Sequence, residues 1–181
     1  VAGTLSKLAM DVCLYMSQNF DFMSIPSEFT TGSSIMPHKK NPDVFELIRG
    51  KCNKIQALPY ELSLLMNNLP SGYHRDLQLL KEGIVPAIQD LKASLEMAIY
   101  ALKNVKVNES ILEDTKYDYL FSVDTLNELV MEGMSFRDAY VKIGQDIEKG
   151  NYKPEKNTKH THIGSINNPC IDKIKEKLNS V

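Results

Sequence analysis

Several kinds of residue and segment are scarce in this chain, and each scarcity argues against a class of protein. The 181 residues include no tryptophan and only three cysteines, which are odd in number and form no Cys-x-x-Cys pair. That pattern argues against a disulfide framework and a zinc ribbon. The chain has no apolar run of roughly 18 residues, the length of a membrane span, and no secretory leader pattern. The net charge of −2 gives no general attraction to nucleic acid or membranes. Because neither a membrane span nor a secretory leader is visible, we expect a cytoplasmic location.

The strongest metal-ligand candidates are His160 and His162, with Cys170 further along the chain. Their spacing matches no established ligand pattern, and they lie in a polar segment without periodicity. We therefore expect no metal site. The cysteines are more typical of small buried apolar residues.

Apolar residues recur at three- and four-residue steps along most of the chain, which is typical of amphipathic helices. The spacing predicts one long helix over residues 44–67, with Pro59 inside it, and another over residues 76–103, with Pro86 inside it. Helices of this length suit an extended bundle, and their wide apolar faces need partners. We predict an all-α fold in which long bundle helices precede a small C-terminal helical domain.

A composition shift over residues 104–108 marks the predicted domain boundary. Residues 1–104 are expected to be the C-terminal part of a central helical bundle, and residues 105–181 a small helical domain. In the second domain, Asn108 and Ser135 are predicted to cap short helices. The helical pattern is already under way at Val1 without a cap, so we expect a further portion to precede it.

A short polar segment concentrates groups that suit a negatively charged ligand. Within residues 30–43, Gly32 frees the backbone, Ser33 and Ser34 supply hydroxyls, and Lys39 and Lys40 supply positive charge. The alternative interpretation is an ordinary polar surface loop, and these residue types alone do not decide between the two. Ammonium groups near a serine would favour its alkoxide and so lower its pKa.

The same segment is predicted to end at the start of a helix. Asn41 is typical of an N-cap, Pro42 of a first helical position and Asp43 of a first turn. The unpaired amides and positive dipole of that helix end would reinforce the lysines in binding an anion.

The run from Gly32 to Pro42 resembles the signature loop of the fumarase/aspartase superfamily. Within that superfamily, residues 43–51, the stretch from Tyr73 to Gln78, and Lys81 are similar to the argininosuccinate lyase family. Adenylosuccinate lyases usually have arginine where Lys40 stands, and they or another fumarate-releasing member remain an alternative. A catalytically silent helical assembly protein of the lens crystallin kind is a further alternative. Position 38 is more often glutamine in argininosuccinate lyases.

The resemblance implies a lyase that splits argininosuccinate into arginine and fumarate by elimination. It assigns catalytic roles to three residues: Ser33, which transfers a proton; Lys39, which holds the reacting carboxylate; and Glu46, which pairs with a histidine. No histidine of this chain fits that partner. The implied substrate-binding residues are Asn41, Tyr73, Gln78 and Lys81.

The resemblance also implies how such a protein assembles. Its members form homotetramers whose active sites draw loops from several subunits, and they use neither a metal nor an organic cofactor. We therefore expect a small-molecule substrate, argininosuccinate, and no nucleic-acid or membrane partner. The 181 residues alone are expected to be inactive.

Overall fold

The computed structural model of the chain describes residues 1–32, 34–36, 38–156 and 159–180. Helices dominate the described residues: α1 (Ala2–Tyr15), α2 (Asp43–Leu65), α3 (Leu80–Leu102), α4 (Ser122–Met131), α5 (Phe136–Glu148) and α6 (Ile171–Asn179). Four strands of two residues each join them: β1 (Met23–Ser24), β2 (Thr31–Gly32), β3 (Lys40–Asn41) and β4 (Lys106–Val107). Short 3-10 turns cover Ser27–Phe29, Arg75–Gln78, Ile111–Glu113 and Thr115–Phe121. The prediction of a helical fold is confirmed.

The chain divides into two compact units, and the first comprises Val1–Glu109. Helices α1, α2 and α3 supply its core. On α2, the buried residues Phe45, Ile48 and Cys52 are three and four positions apart, so they share one helix face. They belong to a cluster that also includes Leu5, Ala9, Val12, Ile25, Ala98 and Ala101.

One hydrogen bond joins α2 to α1, and one ion pair joins α2 to α3. The Ser6 hydroxyl on α1 donates a hydrogen bond of 2.7 Å to the Asn53 side-chain oxygen. Lys51 forms an ion pair of 3.0 Å with Asp90 on α3. Because both side chains of that pair are about half exposed, it contributes little to stability. Apolar burial is therefore the main force that joins these helices.

Outside the buried cluster, α2 and α3 expose large apolar side chains to solvent. The most exposed of them on these helices are Leu47, Tyr60, Leu64, Ile88, Ile99 and Tyr100. Both helices continue through their internal prolines, Pro59 and Pro86. These faces match the expectation from the sequence that the bundle helices have more apolar surface than one chain buries.

Two small antiparallel ladders tie down the connections between helices. β1 pairs with β4, with Met23 opposite Val107. β2 pairs with β3, with Thr31 opposite Asn41 and Gly32 opposite Lys40. The second ladder turns the signature loop into a hairpin, called here the β2–β3 hairpin (residues 31–41). The first ladder explains why the first unit runs beyond the expected boundary at residue 104 to Glu109.

Two of the predicted helix caps are wrong. Asn41 lies in β3, and the residue before α2 is Pro42, without a side-chain cap. Asn108 does not cap an α-helix, because 3-10 turns follow it instead of an α-helix. Its side-chain amide donates to the Asp21 backbone oxygen at 3.0 Å.

The second unit, Ser110–Val181, has its own small core of Leu126, Ala139 and Ile143 on α4 and α5. Ser135 caps α5 as predicted, and its hydroxyl oxygen accepts from the Asp138 N–H at 3.2 Å. The described part of the irregular segment over residues 151–170 is held by two ion pairs, Lys156–Asp118 at 2.7 Å and Lys159–Glu128 at 3.1 Å, and by a contact of 2.7 Å between the His160 ring nitrogen and Asp124.

Replacing Phe45 with alanine should lower the free energy of unfolding by about 3–5 kcal/mol, because the ring is fully buried and leaves a cavity. Urea denaturation followed by circular dichroism measures the change. The matched control is Leu47→Ala on the same helix, where the side chain is 66% exposed and the expected change is within about 0.5 kcal/mol. Equal losses for the two variants would show that the buried face of α2 is misassigned.

Candidate active site

An open cleft of about 670 Å³ lies where α1 ends beside the β2–β3 hairpin. The end of α1, the second half of the hairpin and the first turn of α2 line it. We call it the hairpin cleft, and its lining residues are Cys13, Met16, Ser17, Gln18, Met36, His38, Lys39, Lys40, Asn41, Pro42 and Glu46. Its open form and the charged side chains among its lining residues suit a small charged ligand.

Three of the residues predicted to be catalytic or substrate-binding line this cleft together: Lys39, Asn41 and Glu46. Asn41 is placed by its pairing with Thr31 in the ladder. The Lys39 backbone N–H donates to the Met36 oxygen at 3.1 Å, which closes the turn just before β3. Glu46 is in the first turn of α2, next to the buried ring of Phe45. Three separate local structures thus bring one ammonium, one amide and one carboxylate to the same cleft.

The hairpin cleft has more positive than negative side chains. Lys39 and Lys40 are cationic, Glu46 is anionic, and the imidazole of His38 also lines the cleft. All four are exposed, so solvent screens their interactions. Ser33, the residue predicted to transfer the proton, lies outside the described residues.

Burial and two charges set the acidity of the Cys13 thiol in this cleft. Burial is the main reason that its pKa is raised above the ordinary thiol value. The Arg49 guanidinium opposes the increase in this pKa, and the Glu46 carboxylate adds to it. Cys13 is therefore close enough to both side chains to report on their charges, and it remains a protonated thiol near neutral pH.

A second group of predicted residues lies outside the hairpin cleft. The Gln78 amide donates to the Tyr73 hydroxyl, and the Lys81 ammonium donates to the Gln78 oxygen at 2.8 Å. We call Tyr73, Gln78 and Lys81 the Tyr73 group. Gln78 ends a 3-10 turn and Lys81 is in the first turn of α3, so hydrogen bonds rather than one shared α-helix bring them together. The group presents a phenol, an amide and an ammonium to solvent.

Glu46 has no ion pair with a histidine within the described ranges. His38 lines the same cleft, the His74 ring nitrogen lies 3.1 Å from the Pro70 oxygen, and His160 pairs with Asp124. The prediction that this chain lacks the histidine partner of Glu46 remains open.

The signature motif gives no indication that residues at the end of α1 and just after it also line the cleft. Cys13, Ser17 and Gln18 line it, yet they belong to a segment whose only signal was helical periodicity. The break in that periodicity after Gln18 was the one available sign that the helix ends near here. α1 stops at Tyr15, and the residues that follow turn toward the hairpin.

The described residues contain neither a metal-binding cluster nor a membrane-spanning helix. No group of three or more His, Cys, Asp or Glu side chains among them is arranged to hold a metal ion. No helix in the described ranges has both the length and the apolar character needed to cross a membrane.

Comparison with known proteins gives matches over all or part of the chain. A family model described as "Lyase" matches residues 1–57. The argininosuccinate lyase of Phocaeicola vulgatus is 57% identical over 181 residues, which is 100% of this chain and 41% of that protein. The argininosuccinate lyase of Bacteroides fragilis is 59% identical over 174 residues, which is 96% of this chain and 39% of that protein. This chain therefore spans about two fifths of the length of these relatives.

Solved structures match the fold. A Brucella melitensis protein described as fumarate lyase:delta crystallin has a TM-score of 0.67 and 21% identity over 82% of this chain and 33% of its own. The class II fumarase of Schistosoma mansoni has a TM-score of 0.65 and 20% identity over 82% of this chain and 31% of its own. At this identity the likeness concerns the fold alone.

The fold is shared with these solved structures, and the identity to the two curated relatives places the chain among the lyases of the fumarase/aspartase superfamily. Within that class, the identity of 57–59% to the two relatives over nearly every residue shows that the chain belongs to the argininosuccinate lyase family.

The charges around Cys13 generate a prediction about its reactivity. Glu46→Gln should speed alkylation of Cys13 by iodoacetamide near pH 8 by about twofold to threefold, because loss of the carboxylate lowers the thiol pKa and increases the thiolate fraction. Arg49→Gln should slow the reaction by a similar factor, because the guanidinium opposes the raised pKa. Mass spectrometry of the Cys13 peptide measures both rates.

Cys170, in the second unit, serves as the internal control for reagent and pH, since its rate should be the same in both variants. A change in the same direction for Glu46→Gln and Arg49→Gln would mean that altered exposure, rather than charge, governs Cys13.

Proposed function

We propose that this chain supplies part of the active site of an argininosuccinate lyase, which eliminates fumarate from argininosuccinate and leaves arginine. The observation that carries the proposal is the identity of 57% to the relative of that name over the whole chain, together with the meeting of Lys39, Asn41 and Glu46 in one cleft. In this reaction a base removes a proton from the carbon beside a carboxylate. The carbon–nitrogen bond then breaks, and the leaving nitrogen receives a proton.

Charge accumulates on the substrate carboxylate when the proton leaves, and Lys39 and Asn41 are the proposed groups that stabilise it. Asn41 lies in β3 and Lys39 directly precedes that strand, and both line the hairpin cleft. An ammonium and an amide in the same cleft can hold the two oxygens of one carboxylate. Stabilising charge as it develops lowers the barrier more than binding the ground state does.

The proposed proton carrier is Ser33, supported by its place in the signature motif. A serine hydroxyl is a weak base, so it needs nearby positive charge to favour the alkoxide. Lys39 and Lys40 belong to the same hairpin and provide cationic groups at its far strand.

Glu46 is proposed to orient and raise the basicity of a histidine that another part of the assembled enzyme provides. Its carboxylate is exposed in the cleft. A carboxylate that accepts from one imidazole nitrogen fixes the tautomer and leaves the other nitrogen free to move a proton.

The Tyr73 group is proposed to bind a polar end of argininosuccinate. Its hydrogen bonds orient the Gln78 amide toward Tyr73 and Lys81, so the three side chains form one preorganised polar surface. Preorganisation reduces the entropy lost on binding.

Assembly into a homotetramer with shared active sites is part of the same proposal. Exposed apolar faces on α2 and α3 support it, because such faces are typical of protein–protein interfaces. The exposure of Lys39, Glu46, Tyr73 and Gln78 also supports it, since catalysis by charge stabilisation needs a site from which water is excluded. We propose cytoplasmic activity without a metal or organic cofactor.

Activity can be tested in a hybrid protein in which this chain replaces the matching segment of the Phocaeicola vulgatus relative. The hybrid should release fumarate from argininosuccinate, followed by fumarate absorbance, and should not release it from adenylosuccinate. A folded tetrameric hybrid that releases no fumarate from argininosuccinate would contradict the proposal. Release of fumarate from adenylosuccinate would instead assign the chain to the adenylosuccinate lyases.

Two substitutions in the active hybrid test the assigned roles. Ser33→Ala should reduce kcat by about 10²- to 10⁴-fold, the usual contribution of positioned proton transfer. Lys39→Met should reduce it by about 10²- to 10³-fold through loss of charge stabilisation. Ser27→Ala, an exposed serine outside the hairpin cleft, is the matched control and should retain full turnover. Normal kcat in Ser33→Ala would remove that residue from the mechanism.

A further inference from the structure

The last helix of the chain, α6, buries no residue against the described part of the chain. All nine of its residues are exposed to solvent. An isolated helix of this length is only marginally stable in water, because few backbone hydrogen bonds offset the cost of forming its first turn. A surface that covers α6 would therefore stabilise it.

The side chains of α6 define the chemistry of that surface. Ile171, Ile174 and Leu178 recur at steps of three and four residues, so they form one apolar stripe. With a turn of about 100° per residue, Lys175 and Lys177 flank this stripe on its two sides, and the two acidic residues of the helix lie opposite it. A matching surface has an apolar group between carboxylates.

A cleft of about 590 Å³ beside α4 has that chemistry, and we call it the α4 cleft. Five of its lining residues lie at steps of three and four along α4 and its C-cap, so they share one helix face. Met131 on this face is 88% exposed, and it supplies the apolar group. Other lining residues supply the carboxylates.

Two carboxylates of the α4 cleft are available for a cationic partner. Within the cleft, the Glu128 carboxylate pairs with the Lys159 ammonium at 3.1 Å. Glu132 and Glu155 also line the cleft and are exposed, but in the described ranges neither forms an ion pair. The same holds for the lysines of α6 in those ranges, so the unpaired charges of the two surfaces are complementary.

The connection between the α4 cleft and α6 keeps the helix out of the cleft of its own chain. The Ser165 side chain is buried, and its hydroxyl donates to the His160 backbone oxygen at 3.0 Å. The Asn168 amide donates to the Thr161 backbone oxygen at 2.8 Å. These bonds fold the connection onto itself, and no residue of α6 lines the cleft. Insertion of α6 into its own cleft would break them, whereas insertion into a second copy would not.

We propose that α6 of one copy docks in the α4 cleft of a second copy, which returns its own α6 to the first. Reciprocal exchange of this kind gives a pair with two-fold symmetry. The apolar stripe packs on the flexible thioether of Met131, and the two flanking lysines pair with the two available carboxylates. The inference is independent of the proposed function, because neither surface includes a residue of the hairpin cleft.

Cross-linking tests which copy provides the cleft. Equal amounts of the 181-residue chain with natural and with heavy nitrogen are unfolded in urea, refolded together and treated with a carbodiimide, which joins contacting ammonium and carboxylate groups. Mass spectrometry should find links from Lys175 or Lys177 to Glu132 or Glu155, and about half of them should join a light to a heavy peptide, as random pairing requires. Links within one isotope alone, or no links, would overturn the proposal.

Charge reversal tests the pairing itself. One variant carries Lys175→Glu with Lys177→Glu, and the other carries Glu132→Lys with Glu155→Lys. All four side chains are exposed, so both variants should keep the helical circular dichroism spectrum. In sedimentation velocity at low salt, each variant alone should associate about tenfold more weakly than the unaltered chain, because like charges meet. An equimolar mixture should associate within about twofold of the unaltered chain, because each α6 then meets a cleft of opposite charge.

The matched control is Lys142→Glu with Lys153→Glu, which makes the same change in net charge at exposed positions outside the α4 cleft. It should associate like the unaltered chain. Any association through α2 and α3 is common to all the samples, so it does not produce recovery in the mixture. A mixture that associates no more strongly than its two components would overturn the proposal, and so would equal weakening in the control.

Discussion

The burial of one face of α2 against α1 and α3 sets the geometry on which the candidate site depends. Phe45, Ile48 and Cys52 form that face. Successive side chains on a helix diverge by about 100°, so the burial of Phe45 also fixes the direction of Glu46, which lines the cleft. The contact that stabilises the bundle is therefore the same contact that orients a candidate catalytic carboxylate.

The β2–β3 hairpin imposes a second constraint on the site. Its ladder holds the Cα atoms of Gly32 and Lys40 about 5 Å apart, although seven residues separate them. Closing the base of a loop removes much of its conformational freedom. The ladder therefore constrains the positions of Lys40 and Asn41 relative to Thr31 and Gly32.

Helical periodicity was sufficient to predict α2 and α3, because each has enough turns for an apolar stripe to be unmistakable, and Ser135 with Asp138 marked the start of α5. Ladders of two residues have no period, so the sequence does not predict the β2–β3 hairpin, and by residue type alone Asn41 is typical of a helix cap. The cap prediction for Asn108 fails because no α-helix follows it, and its amide donates to Asp21, 87 positions away. The motif points to Lys39, Asn41 and Glu46, which line the hairpin cleft, whereas no motif points to Cys13 and Gln18, which line the same cleft.

The proposed assembly would link folding to protein concentration through the apolar faces that α2 and α3 leave in solvent. If copies of the chain cover these faces, each association event removes apolar surface from water and stabilises the folded state by mass action. Dilution then favours dissociation and unfolding together. At low abundance the newly made chain exposes Leu47, Tyr60 and Ile99 for longer, which makes it a better substrate for chaperones and proteases than the assembled protein.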